Sequence, residues 1–312
     1  MTDRSAFIRP SNMGAIELCH GKPLMEWRAV TMVPAIEQMS RPAAEQGTQG
    51  HTVVAQTLAL TYQQPGGWTL PEDALNQMSM AMSKLEDWTK DAVRRCVAYA
   101  VALVDQAMGQ GWRITIQIEM HLSGKGVNIE RGGTADLIIL CHDAETDEIV
   151  HVIVADWKLG WLDQGHAADH LQLGTYAVMA WDKYKPRQGV TVHLAQGRRQ
   201  EFSSAHYTAS AIEAVRQRIQ TAVTEAWQDE PEVRADIDAC RYCRALPFCR
   251  TAREHIMHAA DQLALFGEAV TDRIQLAKDA AMARRFAEDA REVAKLWSTQ
   301  NQAAVSEEAS RG

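Results

Sequence analysis

Two groups of residues in this chain are spaced to do chemistry. In the first, Asp156 closes the apolar run Val150-His151-Val152-Ile153-Val154-Ala155, and Lys158 follows two positions later. In extended chain, side chains at i and i+2 share a face, so a carboxylate and an ammonium are delivered together while Trp157 points away. Asp136 opens the preceding apolar run, ADLIILC, just after the glycine pair Gly132–Gly133. If the two runs pair as antiparallel strands, the start of one lies beside the end of the next, and Asp136 meets Asp156. Two carboxylates beside one lysine suit Mg²⁺ or Mn²⁺, hard cations that take one or two carboxylates plus water and phosphate oxygens. Such an ion polarises a phosphoryl oxygen, and the lysine orients water or neutralises charge in the transition state. Gln172 and Tyr176, at i and i+4, share one face of a following helix and can hydrogen-bond towards this site. Each residue alone has a plainer reading. A D-x-K is often a salt-bridged strand end, an Asp after glycine is often a turn residue, and the Gln–Tyr pair suits a polar surface face. The combination points to metal-assisted phosphodiester hydrolysis.

The second group is Cys240, Cys243 and Cys249, spaced C-x2-C-x5-C in CRYCRALPFC. In a reducing compartment disulfides are rare, and closely spaced thiols suit a soft metal site, either zinc or an iron–sulfur cluster. Both want four ligands, so one is missing locally, and Cys19 in ELCHGKP is the candidate. Cys96 and Cys141 fall within helix and strand patterns and read as core thiols.

The elements that must position these groups follow from periodicity. Residues 1–45 read as irregular, interrupted by Pro10, Pro23, Pro34 and Pro42. Thr48 is placed to cap a helix through HTVVAQTLAL, QQPGGWTLP reads as a loop, and a long helix is expected from about Ser83 to Met108. RITIQIEM, ADLIILC, VHVIVAD and VTVHLA read as strands, the second and third joined by the polar turn HDAETDE. A helix is expected from near His166 through HLQLGTYAVMAW. Another should be capped by Ser210 and Glu213 and end near Trp227. Beyond Arg250 the pattern is helical in two pieces divided near Phe266–Gly267, with a polar tail from Ser298. This order predicts an α/β domain with a small central mixed sheet flanked by helices.

Composition sets the outer bounds. The chain has 312 residues, 46% hydrophobic and 23% charged, enough for a substantial core. No apolar run reaches the roughly 18 residues of a membrane helix, and MTDRSAFIRP lacks a signal-peptide core, so a cytoplasmic protein with no membrane partner is expected. A net charge of -8 rules out a global field that attracts nucleic acid but allows a local basic track. Arg241, Arg244, Arg250 and Arg253 surround the cysteines, and Lys183, Lys185, Arg187, Arg198 and Arg199 form a second basic group; each could hold phosphates or be ordinary solvated surface. Trp161 could stack on an unpaired base, but burial in the core is the expectation.

The series Gly133-Thr134-Ala135-Asp136, Asp156-Trp157-Lys158 and Gln172-x-x-x-Tyr176 resembles the RecB-like branch of the PD-(D/E)xK nuclease superfamily, whose pattern runs G-x-x-D, D-x-K, Q-x-x-x-Y. The resemblance implies a restriction-endonuclease-like core in which Asp136 and Asp156 bind metal, Lys158 is catalytic, and Gln172 and Tyr176 complete the helix motif. It implies two further metal ligands, the main-chain carbonyl of Trp157 and His51 in Gly47-Thr48-Gln49-Gly50-His51. Glu119 is either a second-site acid or simply the outward residue of its strand. One cysteine before the core and three after it resemble the iron–sulfur RecB-like exonucleases, including CRISPR-associated and phage-type ones. That implies a 4Fe-4S cluster on Cys19, Cys240, Cys243 and Cys249, with zinc as the alternative. The likeness covers roughly residues 10–255. It implies a nuclease domain over 1–255, stapled by the cluster, and a C-terminal helical extension over 256–312. The implied activity is a Mg²⁺- or Mn²⁺-dependent exonuclease acting on single-stranded DNA or DNA ends. Its setting would be end processing or recombination of a phage or mobile element, with a possible recombination partner protein. The alternatives are a non-catalytic DNA-binding accessory protein of the same fold, or a site-specific endonuclease.

Overall fold

The computed structural model describes residues 3–34, 36, 42–62, 72–266, 278–293 and 295. The chain packs as two units. One comprises residues 9–11 and 40–220; the other comprises residues 1–8, 12–39 and 221–312.

The first unit is α/β. Its helices are α3 (Pro42–Tyr62), α4 (Glu72–Ala81), α5 (Asp87–Gly109) and α6 (Leu171–Tyr184). Its strands are β1 (Arg113–Gly124), β2 (Ile129–His142), β3 (Ile149–Lys158), β4 (Gly189–Gln196) and β5 (Glu201–Tyr207). The sheet order is β1-β2-β3-β4-β5, antiparallel throughout except for the parallel pair β3/β4. A parallel pair cannot be closed by a tight turn, and α6 provides the crossover. The expected mixed sheet flanked by helices is therefore present.

Alternation along the strands sorts the two faces. Leu137, Ile139, Cys141, Ile153, Ala155, Trp157 and Ala195 are buried with Val53, Val54 and Leu58 of α3 and with the Ala92–Ala107 face of α5. The opposite face meets α6, which is buried along Leu171–Ala180. A helix enclosed on nearly every side has no need of a polar stripe. Gln172 and Tyr176 lie on this buried stretch and are thus aimed inside the protein.

The second unit contains α1 (Met13–Leu18), α2 (Lys22–Met32), α8 (Ile237–Cys240) and α9 (Arg250–Phe266). Residues 278–293 are also helical. The division between the units falls within α7 (Ala209–Ala226), after Gln220.

Several local expectations are corrected. Most of the described part of residues 1–45 is helical rather than irregular, because the prolines sit at helix starts: Pro23 occupies the first turn of α2 and Pro42 begins α3. Thr48 lies inside α3, where its hydroxyl donates to the Ala44 carbonyl at 3.0 Å instead of capping. The long helix begins at Asp87, preceded by the separate α4 and a turn of 3-10 helix at Met82–Lys84. α6 begins at Leu171, five residues after His166, and α7 begins at Ala209, with Thr208 Oγ1 accepting from the Ala211 amide at 3.4 Å. Glu213 pairs with Arg216 rather than closing a capping box. The strand β5 was not anticipated; EFSSAHY is mostly polar because its side chains are largely exposed. The QQPGGWTLP loop, the break after Phe266 and the tail from Ser298 lie outside the described residues.

Candidate functional site

The site forms where β2 and β3 run side by side. The pair Leu137↔Ala155 puts Asp136 next to Asp156 across the ladder. Asp136 Oδ2 accepts the Trp157 amide at 2.7 Å, leaving Oδ1 facing His51 Nδ1 at 3.4 Å. An extended residue directs its N–H and C=O to the same side, so the Trp157 carbonyl also faces Asp136. The Trp157 ring lies in the opposite core.

Asp156 is 3% exposed. Its Oδ1 accepts from Gln172 Nε2 at 2.7 Å, and the Gln172 carbonyl Oε1 accepts from Lys158 Nζ at 2.9 Å. Lys158 Nζ also lies 2.8 Å from Asp156 Oδ2, as a charge contact without hydrogen-bond alignment. One helix glutamine therefore fixes both members of the D-x-K pair. Tyr176 donates to the Thr134 carbonyl at 2.7 Å, clamping the start of the Asp136 segment. Gly133 permits this approach: a Cβ there would lie 3.1 Å from the Tyr176 ring and 2.5 Å from Pro10.

His51 reaches the site because α3 packs closely. A Cβ on Gly50 would sit 2.5 Å from Leu159 Cδ1 and 3.1 Å from Thr89 Cγ2, so only glycine lets this turn of α3 approach the end of β3. Glu119 arrives by a different route. It falls between the pairs Ile118↔Leu137 and Met120↔Ala135, opposite Asp136, and adopts φ +50° in mid-strand. A left-handed non-glycine residue inside a strand is uncommon, and such strain gathers where a side chain must be re-aimed. His51, Glu119 and Asp136 each bring one ligand atom into a group within 4.8 Å.

The electrostatics are those of crowded acids. Burial, then the Asp136 charge, pushes the Glu119 pKa up. Burial pushes Asp156 up as well, opposed by Lys158 and reinforced by Asp136. Burial works against charge on His51, but Asp136 and Asp156 prevail and hold its pKa above the ordinary histidine value. Three carboxylates with one lysine leave excess negative charge, and Asp156 Oδ2 is buried without an aligned donor. Side chains of these types are ones a divalent cation can use as ligands.

His170 was not anticipated. It occupies the cap position of α6, and its Nδ1 is buried with no hydrogen-bond partner among the described residues. Burial, then the Lys158 charge, depresses its pKa to about 4, so it is a neutral ring beside the lysine. The only signal in the sequence is a histidine just ahead of the Gln172–Tyr176 helix.

All six cysteines are buried and free. Cys96 and Cys141 are core thiols at 0% exposure, both with pKa pushed up to about 12 by burial first. Cys240, Cys243 and Cys249 share a buried cluster in the second unit. Cys19 belongs to the same unit: the Arg234 amide donates to its Sγ at 3.4 Å, and Gly21 N donates to the Glu232 carbonyl at 2.7 Å. Cys19 feels the charge of Cys249, and Cys240 feels those of Cys19 and Cys249. No three of the four sulfurs lie within 4.8 Å of one another. Lys22, 3% exposed, bonds Glu26 and the Ala239 carbonyl, each at 3.3 Å. Burial opposes its charge, yet Cys243, Glu26 and Cys240 hold its pKa above the usual lysine value. A buried ammonium beside Cys19, Cys240 and Cys243 is suited to a site that carries negative charge.

The residues 28–312 match a family model described as "Protein of unknown function (DUF2800)". The chain belongs to the DUF2800 family. The matched region holds every residue of the Asp136–Lys158 site and three of the four grouped cysteines, Cys19 lying before it. None of the curated proteins matches this DUF2800 chain. No helix among its described residues is long and apolar enough to cross a membrane.

The second basic group is divided by a strand. Lys183, Lys185 and Arg187 lie near the start of β4 and Arg198 and Arg199 beyond its end, with the length of the eight-residue strand between them. Most are paired: Lys185 with Asp182, Arg187 with Asp143 and Glu148, Arg199 with Glu201 and Asp163, Arg241 with Asp238, Arg250 with Glu254. The Trp161 side chain is not in the core; it is 67% exposed.

Proposed function

We propose that this chain is a divalent-metal-dependent deoxyribonuclease, an exonuclease acting on single-stranded DNA or DNA ends, with a restriction-endonuclease-like core. The observation that carries the reading is the convergence of His51, Glu119 and Asp136 on one point, with Asp156 on the neighbouring strand beside a lysine held by Gln172. Mg²⁺ or Mn²⁺ would be held by Asp136, Asp156, His51 and the Trp157 carbonyl, with Glu119 as a further acid. The imidazole makes Mn²⁺ the better fit of the two. The ion, when bound, supplies a Lewis acid for a phosphodiester oxygen and offsets its charge.

The side chains do the rest. The amide bond to Asp136 Oδ2 fixes that carboxylate with Oδ1 turned towards His51. Gln172 holds Asp156 and Lys158 in register. The Lys158 ammonium, 23% exposed, keeps donors available to orient an attacking water or to meet charge growing on a phosphate oxygen. Neutral His170 adds no competing positive charge beside it.

We also propose that Cys19, Cys240, Cys243 and Cys249 hold a 4Fe-4S cluster. Four buried thiols in one electrostatic neighbourhood, with Lys22 among them, support this. Such a cluster would tie α1 and α2 to the segment 233–249.

The test is digestion of end-labelled single- and double-stranded DNA with Mn²⁺, Mg²⁺ or EDTA. Mononucleotides or short products released from an end, only with metal, are expected. Activity that persists in EDTA after thorough metal removal would contradict the reading.

A further inference from the structure

We infer that Trp161 is a base-stacking platform that selects unpaired nucleotides next to the cutting site; this rests on the nuclease reading and names the substrate feature it recognises. Trp161 is 67% exposed, whereas tryptophan is ordinarily well buried. It lies three residues beyond Lys158, so the two Cα atoms are at most about 11 Å apart. A nucleotide adjoining the scissile phosphate falls within that reach.

The segment that follows Trp161 is tied to the sheet. The Gln164 amide donates to Gln196 Oε1 at 2.8 Å, and Gln196 Nε2 donates back to the Gly165 carbonyl at 3.2 Å. Arg199 reaches Asp163 at 3.4 Å, and the Ala167 amide donates to Ser203 Oγ at 3.0 Å. These bonds tie residues 163–167 to the end of β4, the turn after it and β5. Arg198 then orients the ring: its guanidinium carbon lies 4.8 Å from the Trp161 centroid and 3.9 Å from that of Trp88. An indole held by a cation–π contact is ordered before any ligand arrives.

An ordered, exposed indole offers a π face to whatever π face can reach it. In a duplex the base faces are already covered by their neighbours, so only a single strand or a frayed end can present one. Every base has such a face, so the platform discriminates strandedness and not sequence.

The experiment measures binding of fluorescein-labelled oligo-dT and of a capped duplex hairpin by anisotropy, in EDTA so that no cleavage occurs. It also measures hydrolysis of bis(p-nitrophenyl) phosphate, a phosphodiester without a base, in Mn²⁺. Trp161→Ala should weaken oligo-dT binding about 5- to 150-fold, the range for loss of one stacked base. Hairpin binding and bis(p-nitrophenyl) phosphate hydrolysis should be unchanged, and Trp161→Phe should restore most of the affinity. Arg198→Ala should give a smaller loss for oligo-dT alone. Unchanged oligo-dT binding by Trp161→Ala, or equal losses for oligo-dT and hairpin, would overturn the platform while leaving the nuclease reading intact. A wild-type protein that neither binds DNA nor hydrolyses either phosphodiester would overturn both.

Discussion

Gln172 donates to Asp156 Oδ1 at 2.7 Å while its own carbonyl takes the Lys158 ammonium at 2.9 Å, so one amide on α6 sets the geometry of a carboxylate and a lysine on β3. Removing it leaves a buried carboxylate oxygen without its donor, at a cost of about 1–3 kcal/mol. Gln172→Ala should lower metal-dependent DNA hydrolysis about 10- to 100-fold, as loss of a supporting partner of a metal ligand does. Denaturant melts and initial rates in Mn²⁺ check this. A variant with wild-type rates would mean that the amide does not position the pair.

The thiol site makes a prediction of a different kind. Anaerobically purified protein should be brown and carry about four irons per chain. Cys19→Ala should bleach it and destabilise the unit that contains α1 and α8, because the site closes a long loop. Cys96→Ala, in the other unit, should leave the colour unchanged. Lys22→Met should lower iron content, since it removes the buried cation that faces Cys240 and Cys243. Colourless wild-type protein with one stoichiometric zinc would contradict the cluster and leave the Asp136–Lys158 site untouched.

Much of this site was legible because its signals are local. The i, i+2 spacing of Asp156 and Lys158 and the i, i+4 spacing of Gln172 and Tyr176 fix side-chain direction whatever the rest of the chain does. Glu119 was ambiguous for the opposite reason: a strand residue of that parity has no fixed destination until φ +50° redirects it, and no single-residue preference forecasts that. His170 was missed because its proximity to Lys158 depends on where α6 begins. β5 was missed because an exposed edge strand lacks an apolar alternation. The division of the second basic group was not legible because closeness in sequence across a turn and a strand says little about closeness in space.

Stability should depend on two buried histidines of the sheet that are not among the candidate ligands. His151 and His193 are each 8% exposed, and burial first, then His206 and His151 respectively, lowers each pKa to about 4. His151 packs against Trp112 and His206 and bonds Thr191, and His193 bonds the Tyr99 hydroxyl. Folded, both stay neutral; unfolded, both protonate near about 6.5. Below about pH 6.5 the unfolded chain therefore binds more protons, and stability falls as pH drops towards about 4. A shift of this size corresponds to about 3 kcal/mol per histidine. Asp156 and Glu119, with raised pKa values, act in the opposite sense. The readout is therefore a comparison: His151→Gln/His193→Gln should lose less stability than wild type between pH 7 and pH 4.5 in urea melts. Identical losses would remove these histidines from the account.

The most direct test of the central claim is metal-dependent digestion of end-labelled DNA by wild-type protein and by Lys158→Met and Asp136→Asn. Circular dichroism should show all three folded. Wild type should degrade DNA from its ends in Mn²⁺ and not in EDTA, and each variant should lose at least about 100-fold in rate, the scale seen when an electrostatic stabiliser is removed. Folded Lys158→Met that digests DNA at the wild-type rate, or metal-loaded wild type that leaves DNA intact, would contradict it.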